Sequence, residues 1–272
     1  MHAHDAHVIT TTAKRSLHHH DTTMTPIHSL LRRAFFRIEP ALAAVVNPLL
    51  RTRATRIGRT VLAQKYLRGD GLELGAFASP TMTPYGARTR YVDRVPASHW
   101  KDVPEYRHVQ PVDPDIIDDG ATLAGVPDAS QDYIVSFHML EHVPNTLVAV
   151  ENWIRVLKPG GILLVAVPDR RFGRDAPREL TTFQHLVDDL RAGESRDDSA
   201  HYREIAELVH GLTGSAVDDY VATAPPAEHF HVWDLTSFTR FWLDASDFFN
   251  GAFELLEAQR NHGEAIAVLR RV

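Results

Sequence analysis

From Gly71 onward the chain alternates short apolar runs with helical segments, and nothing else in it limits the possible folds as strongly. Gly71 to Leu74, Thr89 to Val92, His108 to Val112, Tyr133 to Phe137 and Ile162 to Val167 read as buried strands. Asn145 to Leu157 reads as a helix, because Leu147, Val150, Ile154 and Leu157 share a face and Lys158-Pro159-Gly160-Gly161 stops it. Phe253 to Ala258 and Ala265 to Leu269 look like a closing antiparallel pair. Strands that alternate with helices imply an α/β fold, a mainly parallel sheet covered on both faces. Ligands of such sheets bind beyond the carboxyl ends of the strands, so the residues just after each strand are the first candidates for chemistry.

The flanking segments read differently. Residues 1–25 hold six histidines among the first 20 positions and almost no apolar periodicity, which predicts a disordered tail. Over 26–68 apolar residues recur at helical spacing, broken by Pro40 and Pro48. This stretch has nine Lys/Arg and one Glu, which leaves the rest of the chain at −14 within a total of −6. A basic helical lid packed on an acidic domain over 69–272 is the expectation, with peripheral contact to an anionic membrane as the other reading. Residues 170–228 are charged and largely helical, and read as an insertion after the fifth strand that covers the acceptor edge.

So acidic a body would repel a nucleic-acid backbone. With no cysteine there is no disulfide, thiolate metal site or cysteine nucleophile. No apolar run reaches the roughly 18 to 20 residues that span a bilayer, and no leader pattern is present, so a soluble cytoplasmic protein is expected.

The ligand signal lies at the first two strand ends. Glu73-Leu74-Gly75-Ala76 closes the first strand, and Asp93 closes the second 20 residues after Glu73. An acid at that distance is placed to take the two hydroxyls of a ribose, while the glycine turn lets a ligand approach the backbone. NAD wants G-x-G-x-x-G for its pyrophosphate, and here the later glycine positions are Phe77 and Pro80, which suits a nucleoside without phosphate. Capping of adjacent helices by Glu73 and Asp93 is the structural alternative.

Over Gly71 to Pro168 these segments, in order, resemble the class I S-adenosylmethionine-dependent methyltransferases. Glu73-Leu74-Gly75 is similar to their first motif, Asp93 to the ribose acid, and Asp119-Gly120-Ala121-Thr122-Leu123 to the adenine-contacting segment. "MLEHVPN" and "WIRVLKPGGILLVAVPD" are similar to the region around their fourth and fifth strands. The resemblance implies a Rossmann-like sheet of seven mostly parallel strands. It also implies a cofactor site from Glu73, Gly75, Ala76, Asp93, Arg94, Asp119, Gly120 and His138. Ala76-Phe77-Ala78 departs from it, since many relatives carry further glycines there. Asp118 competes with Asp119 for the adenine role.

Methyl transfer is an in-line displacement, so the protein mainly aligns the nucleophile and helps remove its proton. An alcohol needs a base or a metal for that. Beyond the fourth strand stands His138-Met139-Leu140-Glu141-His142; on a helix, His138 and His142 would share a face, with Glu141 beside them. The spacing also matches an inverted zinc-protease signature, but a strand end is the wrong context for one. Asp169 follows the fifth strand and is expected to converge on His138. Of the pair His229 and His231, one is expected to reach the site and the other to support it.

These residues give a candidate catalytic set of His138, His142 and Asp169, and a candidate metal set of Glu141, His142, Asp169 and His231; the other reading is that Glu141-His142 merely fixes the turn. Magnesium or manganese suits such ligands. "LELGAFASP", "YVDR", "HMLEHV" and "EHFHVW" further resemble bacterial methyltransferases of glycan biosynthesis, including the mycobacterial 1-O-methyltransferases of methylmannose polysaccharide. That resemblance implies a sugar or oligosaccharide hydroxyl as acceptor, with Tyr202, Tyr220, Trp233 and Trp242 as candidate stacking groups. A phenolic acceptor, or a catalytically silent docking module, are the other readings. The oligomeric state leaves no trace in the sequence.

Overall fold

The computed structural model describes residues 53–223 and 228–272. The first element is a helix over 53–66, α1, and a short helix, α2 (Ala97–Lys101), follows the second strand. Seven strands follow in the sheet order β3-β2-β1-β4-β5-β7-β6. They are β1 (Asp70–Leu74), β2 (Arg88–Asp93), β3 (Ile116–Ile117), β4 (Gln131–Phe137), β5 (Leu157–Pro168), β6 (Phe253–Asn261) and β7 (Glu264–Arg271). The first five run parallel, and β7 lies antiparallel between β5 and β6. This is the Rossmann-like class I arrangement expected from the sequence.

Period-two alternation divides the sheet's side chains between two cores. On one face Tyr133, Val135, Leu164, Ala166, Ile266 and Val268 pack under Leu62, Ala63 and Leu67. On the other, Leu72, Ile134, Leu163, Val165, Ala267 and Leu269 meet α3 (Thr146–Val156), α4 (Phe183–Ala192) and α7 (Leu235–Phe248). Asn145 caps α3 by accepting from the Val148 amide at 3.4 Å, and Leu157 turns extended to end it. Lys158-Pro159-Gly160-Gly161 therefore lies within β5, at the register shift between Gln131 and Tyr133 of its partner β4.

Two expectations change. His108 to Val112 is not a strand: Pro111 and Pro114 supply no N–H to a ladder, and the Val112 amide instead donates to the Phe77 carbonyl. The third strand is the two-residue β3. The boundary at residue 69 also moves, because α1 is a core helix of the sheet and not a lid. Arg59 pairs with Glu264, the Thr55 carbonyl accepts from Asn261, and Lys65 and Tyr66 both donate to Glu257 at 2.7 Å. The expected tail over 1–25, and the part of the basic element before residue 53, lie outside the described residues.

Between β5 and α7 the chain forms α4, α5 (Ser199–Glu204) running into a π turn at Ile205–Val209, α6 (Ser215–Thr223) and short 3-10 turns. Buried Arg178 joins α5 to the loop after β5 and to the chain that enters α7. It donates to Asp175, to Glu204 and to the carbonyls of His229 and Phe230.

Candidate active site

In the strand order the chain reverses direction between β1 and β4, and a crevice is expected outside their carboxyl ends. A pocket lies there. Its walls include Gly75 after β1, Asp93 and Arg94 at the end of β2, Asp119 and Gly120 after β3, and Met139 and His142 after β4. Gly75 has φ of +63°, a conformation that costs other residues about 1–2 kcal/mol. A Cβ on Gly120 would stand 3.1 Å from the Met139 sulfur, and its carbonyl accepts from the Trp153 indole at 2.8 Å.

The two acids are held from one side. Asp93 Oδ1 accepts from the Val95 amide at 3.4 Å and Asp119 Oδ1 from the Ala121 amide at 2.7 Å, leaving the second oxygen of each available to a ligand. Asp118 is consumed by its own loop, where its carboxylate accepts from the amides of Asp119 and Gly125 at 2.8 Å. Of that pair, Asp119 is the one in the pocket wall. Two carboxylates would repel a pyrophosphate and attract a hydroxyl-bearing, positively charged nucleoside, so the donor set fits S-adenosylmethionine better than NAD.

Glu73 and Ala76 stand outside these walls. Glu73 is buried and its carboxylate accepts from the Thr81 amide and hydroxyl, which ties down the loop after β1. Burial pushes its pKa up, with the Thr81 bonds partly offsetting this. At the position where a further glycine was expected, Phe77 adopts φ of +45° and stacks edge-on against Trp100 and Tyr106, centroids 5.3 and 5.2 Å away.

After β4 the expected helix does not form. His138 takes φ of +53°, and only Leu140–His142 makes a 3-10 turn. His138 is therefore turned away from Glu141 and His142, and its Nε2 lies 2.8 Å from Glu264, which also binds Arg59 and Asn261. Asp169 does not converge on it either. Its buried carboxylate accepts from the Arg171 side chain at 2.8 Å and from the Arg171 amide at 3.2 Å. Burial alone would raise the Asp169 pKa, but the arginine outweighs this and holds it low.

The expected metal set divides three ways. Asp169 belongs with Arg171, and His231 belongs to a separate cluster with His185, Asp189 and His201. Glu141 and His142 are joined by His229 instead, with one donor atom from each of the three within 4.8 Å of the others. Docking of the chain before α7 onto the 3-10 turn brings them together: the amides of Phe230 and His231 both donate to the Glu141 carbonyl.

Within this trio each imidazole is fixed from behind. His142 Nδ1 donates to the Glu228 carbonyl at 3.1 Å, and His229 Nδ1 lies 2.6 Å from buried Asp175. Both Nε2 atoms are left for the site, and His142 Nε2 is 3.9 Å from Glu141 Oε1. The Glu141 carboxylate is 1 % exposed and neither oxygen has a hydrogen-bond partner. Burial holds the His142 pKa below its ordinary value, with Glu141 partly opposing it.

Only tertiary packing reveals His229 as the third member, although its place two residues before His231 had singled out the pair. The rim beyond it is polar, with Arg174 at 2.7 Å and the Tyr220 hydroxyl at 2.8 Å from the Glu228 carboxylate. Trp233 and Trp242, expected as stacking groups, are core residues at 1 % and 0 % exposure.

Residues 69–248 match the family model described as a methyltransferase domain. The chain belongs to this methyltransferase family. It is 44 % identical over 112 residues to a Mycolicibacterium smegmatis protein named "Probable S-adenosylmethionine-dependent methyltransferase", a match covering 36 % of this chain and 43 % of that protein. It is 31 % identical over 132 residues to a Synechocystis protein named 2-methyl-6-phytyl-1,4-hydroquinone methyltransferase, covering 47 % of this chain and 41 % of the relative. The chain thus spans less than half the length of these curated relatives. Among solved structures, a SAM-dependent methyltransferase from Aquifex aeolicus superposes with a TM-score of 0.41 at 13 % identity, over 76 % of this chain and 85 % of that one. No helix among the described residues is long and apolar enough to cross a membrane.

Proposed function

We propose that this methyltransferase-family protein is an S-adenosylmethionine-dependent O-methyltransferase that acts on a sugar hydroxyl with the help of a divalent cation. One observation carries the reading: His142 stands in the wall of the nucleoside pocket and in the Glu141–His142–His229 trio at once. Bound S-adenosylmethionine supplies an activated methyl group. Asp93 and Asp119 hold the nucleoside, while Gly75 and Gly120 let it approach the backbone. On the acceptor side His142, with its Nδ1 donating to the Glu228 carbonyl and burial favouring the neutral ring, presents Nε2 to take a hydroxyl proton or to bind a cation that acidifies the hydroxyl, and His229 stands beside it.

The donor set of the trio supports the cation. A buried carboxylate without a partner is costly unless a positive charge sits beside it, and both imidazoles have the outer hydrogen bonds typical of metal-binding histidines. Two nitrogens and one carboxylate suit manganese or zinc at least as well as magnesium. Arg174, Glu228 and Tyr220 on the rim offer hydrogen bonds to several hydroxyls, which favours a sugar over an apolar ring. The name of the Synechocystis relative keeps a phenolic acceptor as the second reading.

The test is S-adenosylhomocysteine release over a panel of mannose and glucose oligosaccharides, free and partly methylated, beside a panel of phenols and hydroquinones. Each is run with magnesium, manganese or zinc and with chelator. Release with a sugar that stops on chelation, and that falls at least about 100-fold in Glu141→Gln, is expected. Turnover of phenols alone would replace the sugar, and full activity in chelator would remove the cation.

A further inference from the structure

We propose that His185, Asp189, His201 and His231 form a second, structural site for a tetrahedral divalent metal ion of the zinc class, which fastens the helical insertion to the sheet. The four residues come from three places. His185 and Asp189 lie four apart on one face of α4, His201 lies on α5, and His231 lies on the chain entering α7.

One donor atom from each falls within 4.8 Å of the others. Asp189 Oδ2 is 3.1 Å from His231 Nε2 and 3.4 Å from His185 Nε2. A tetrahedral ion with bonds of roughly 2.0–2.1 Å sets its ligands about 3.3 Å apart, so these two edges are already at the coordination distance. The imidazoles stand around the same point, with ring centroids 5.0 Å apart for His185 and His201 and 5.6 Å for each of these with His231.

The far side of the site is built as well. His231 is 1 % exposed, and its Nδ1 lies 3.0 Å from the buried Thr146 hydroxyl at the start of α3. Donation from Nδ1 to that hydroxyl leaves Nε2 as the inward lone pair, the arrangement that metal-binding histidines usually show. Of the three imidazoles only His185 and His231 come within 4.0 Å of the Asp189 carboxylate, so hydrogen bonding to it leaves His201 out, whereas a dication at the centre uses all four groups. A cleft lined by His185, His201, Glu204 and Thr182 reaches the cluster from the surface and gives an ion its path. Three neutral nitrogens and one carboxylate in a closed, four-ligand set are a zinc-type donor set.

The site is distinct from the Glu141 trio and does not depend on any methyl-transfer reading. The full chain is loaded with zinc, dialysed against a weak chelator and assayed for metal, and in parallel loaded with cobalt for its visible spectrum. The first 20 residues hold six histidines that also bind metal, so the readout is the difference between variants. His201→Gln and His185→Gln, on the surface side of the cluster, are each expected to lose one equivalent of zinc and the intense bands of tetrahedral cobalt. His142→Gln loses at most the metal of the separate Glu141 trio and keeps the equivalent and the tetrahedral cobalt bands that the His185 and His201 variants lose. Thr146→Val is expected to keep the stoichiometry but weaken zinc roughly 10- to 100-fold. Equal zinc content and an unchanged cobalt spectrum in His201→Gln, with native circular dichroism, would overturn the proposal, as would cobalt bands that vanish only in His142→Gln.

Discussion

Asp118 and Asp119 are neighbours of one chemistry, and their surroundings give them different work. Asp119 keeps an oxygen for the pocket, whereas both oxygens of Asp118 accept loop amides. Asp93→Ala and Asp119→Ala should each weaken S-adenosylhomocysteine about 10- to 100-fold by calorimetry, as expected for losing hydrogen bonds to a charged group. Asp118→Ala should instead lower the unfolding free energy by about 1 kcal/mol with a smaller effect on affinity. Glu264 makes a different prediction. Burial would raise its pKa, but His138 and Arg59 outweigh that and hold it below the ordinary 4.5. For a carboxylate depressed in the folded state, the stabilisation is present above the unfolded pKa and is lost as pH falls through the folded one. Urea unfolding from about pH 6 down to about pH 3 should therefore show a loss beginning near 4.5 that is missing in Glu264→Gln, a variant about 3 kcal/mol less stable at neutral pH. A parallel loss in both proteins would assign the acid sensitivity elsewhere.

The same division between local and tertiary causes decides which elements could be read in advance. β4, β5, α3 and the β6–β7 pair were legible because a period of two or 3.6 persists over several residues, and because Asn145 offers a cap where the helix begins. Alternation alone misplaced the third strand, since Pro111 and Pro114 break a ladder that the apolar residues suggested. The turn after β4 was misread for a sharper reason: left-handed φ at His138 reverses the expected face, and nothing in a His-x-x-Glu-His spacing signals it. The acids of the pocket wall, Asp93 and Asp119, were legible because each stands at or just after a strand end. The histidine clusters were not, because membership depends on how the insertion docks, which sent adjacent His229 and His231 to different sites. A cap that was not foreseen gives the test at this scale. Asp234 and Ser237 form reciprocal bonds at 2.8 and 2.9 Å at the start of α7. Asp234→Ala should cost about 1 kcal/mol in chemical denaturation, and Asp234→Asn, which still accepts the amide, clearly less.

Across the whole molecule the main consequence concerns where the folding unit begins. The charge pattern set a basic stretch over 26–68 against an acidic body, and within the described residues Arg59 pairs with Glu264 and Lys65 with Glu257. It misjudged the depth of the contact. Leu62, Ala63 and Leu67 are at most 2 % exposed and pack on Tyr133, Val135, Leu164, Ala166, Ile266 and Val268, on the second face of the central strands. Removing a buried leucine side chain costs about 2–5 kcal/mol, so losing two of them takes about 4–10 from a total stability typical of about 5–15. Arg59 leaves with the helix as well, and Glu264 then stays buried with one charged partner fewer. A chain starting at Leu50, just ahead of α1, should unfold cooperatively, and one starting at Gly69 should not reach a cooperative fold. Leu67→Ala in the longer chain gives the graded form of the test, with an expected loss of about 3 kcal/mol by urea titration. Cooperative unfolding of the Gly69 chain with undiminished stability would return α1 to the role of a detachable cover.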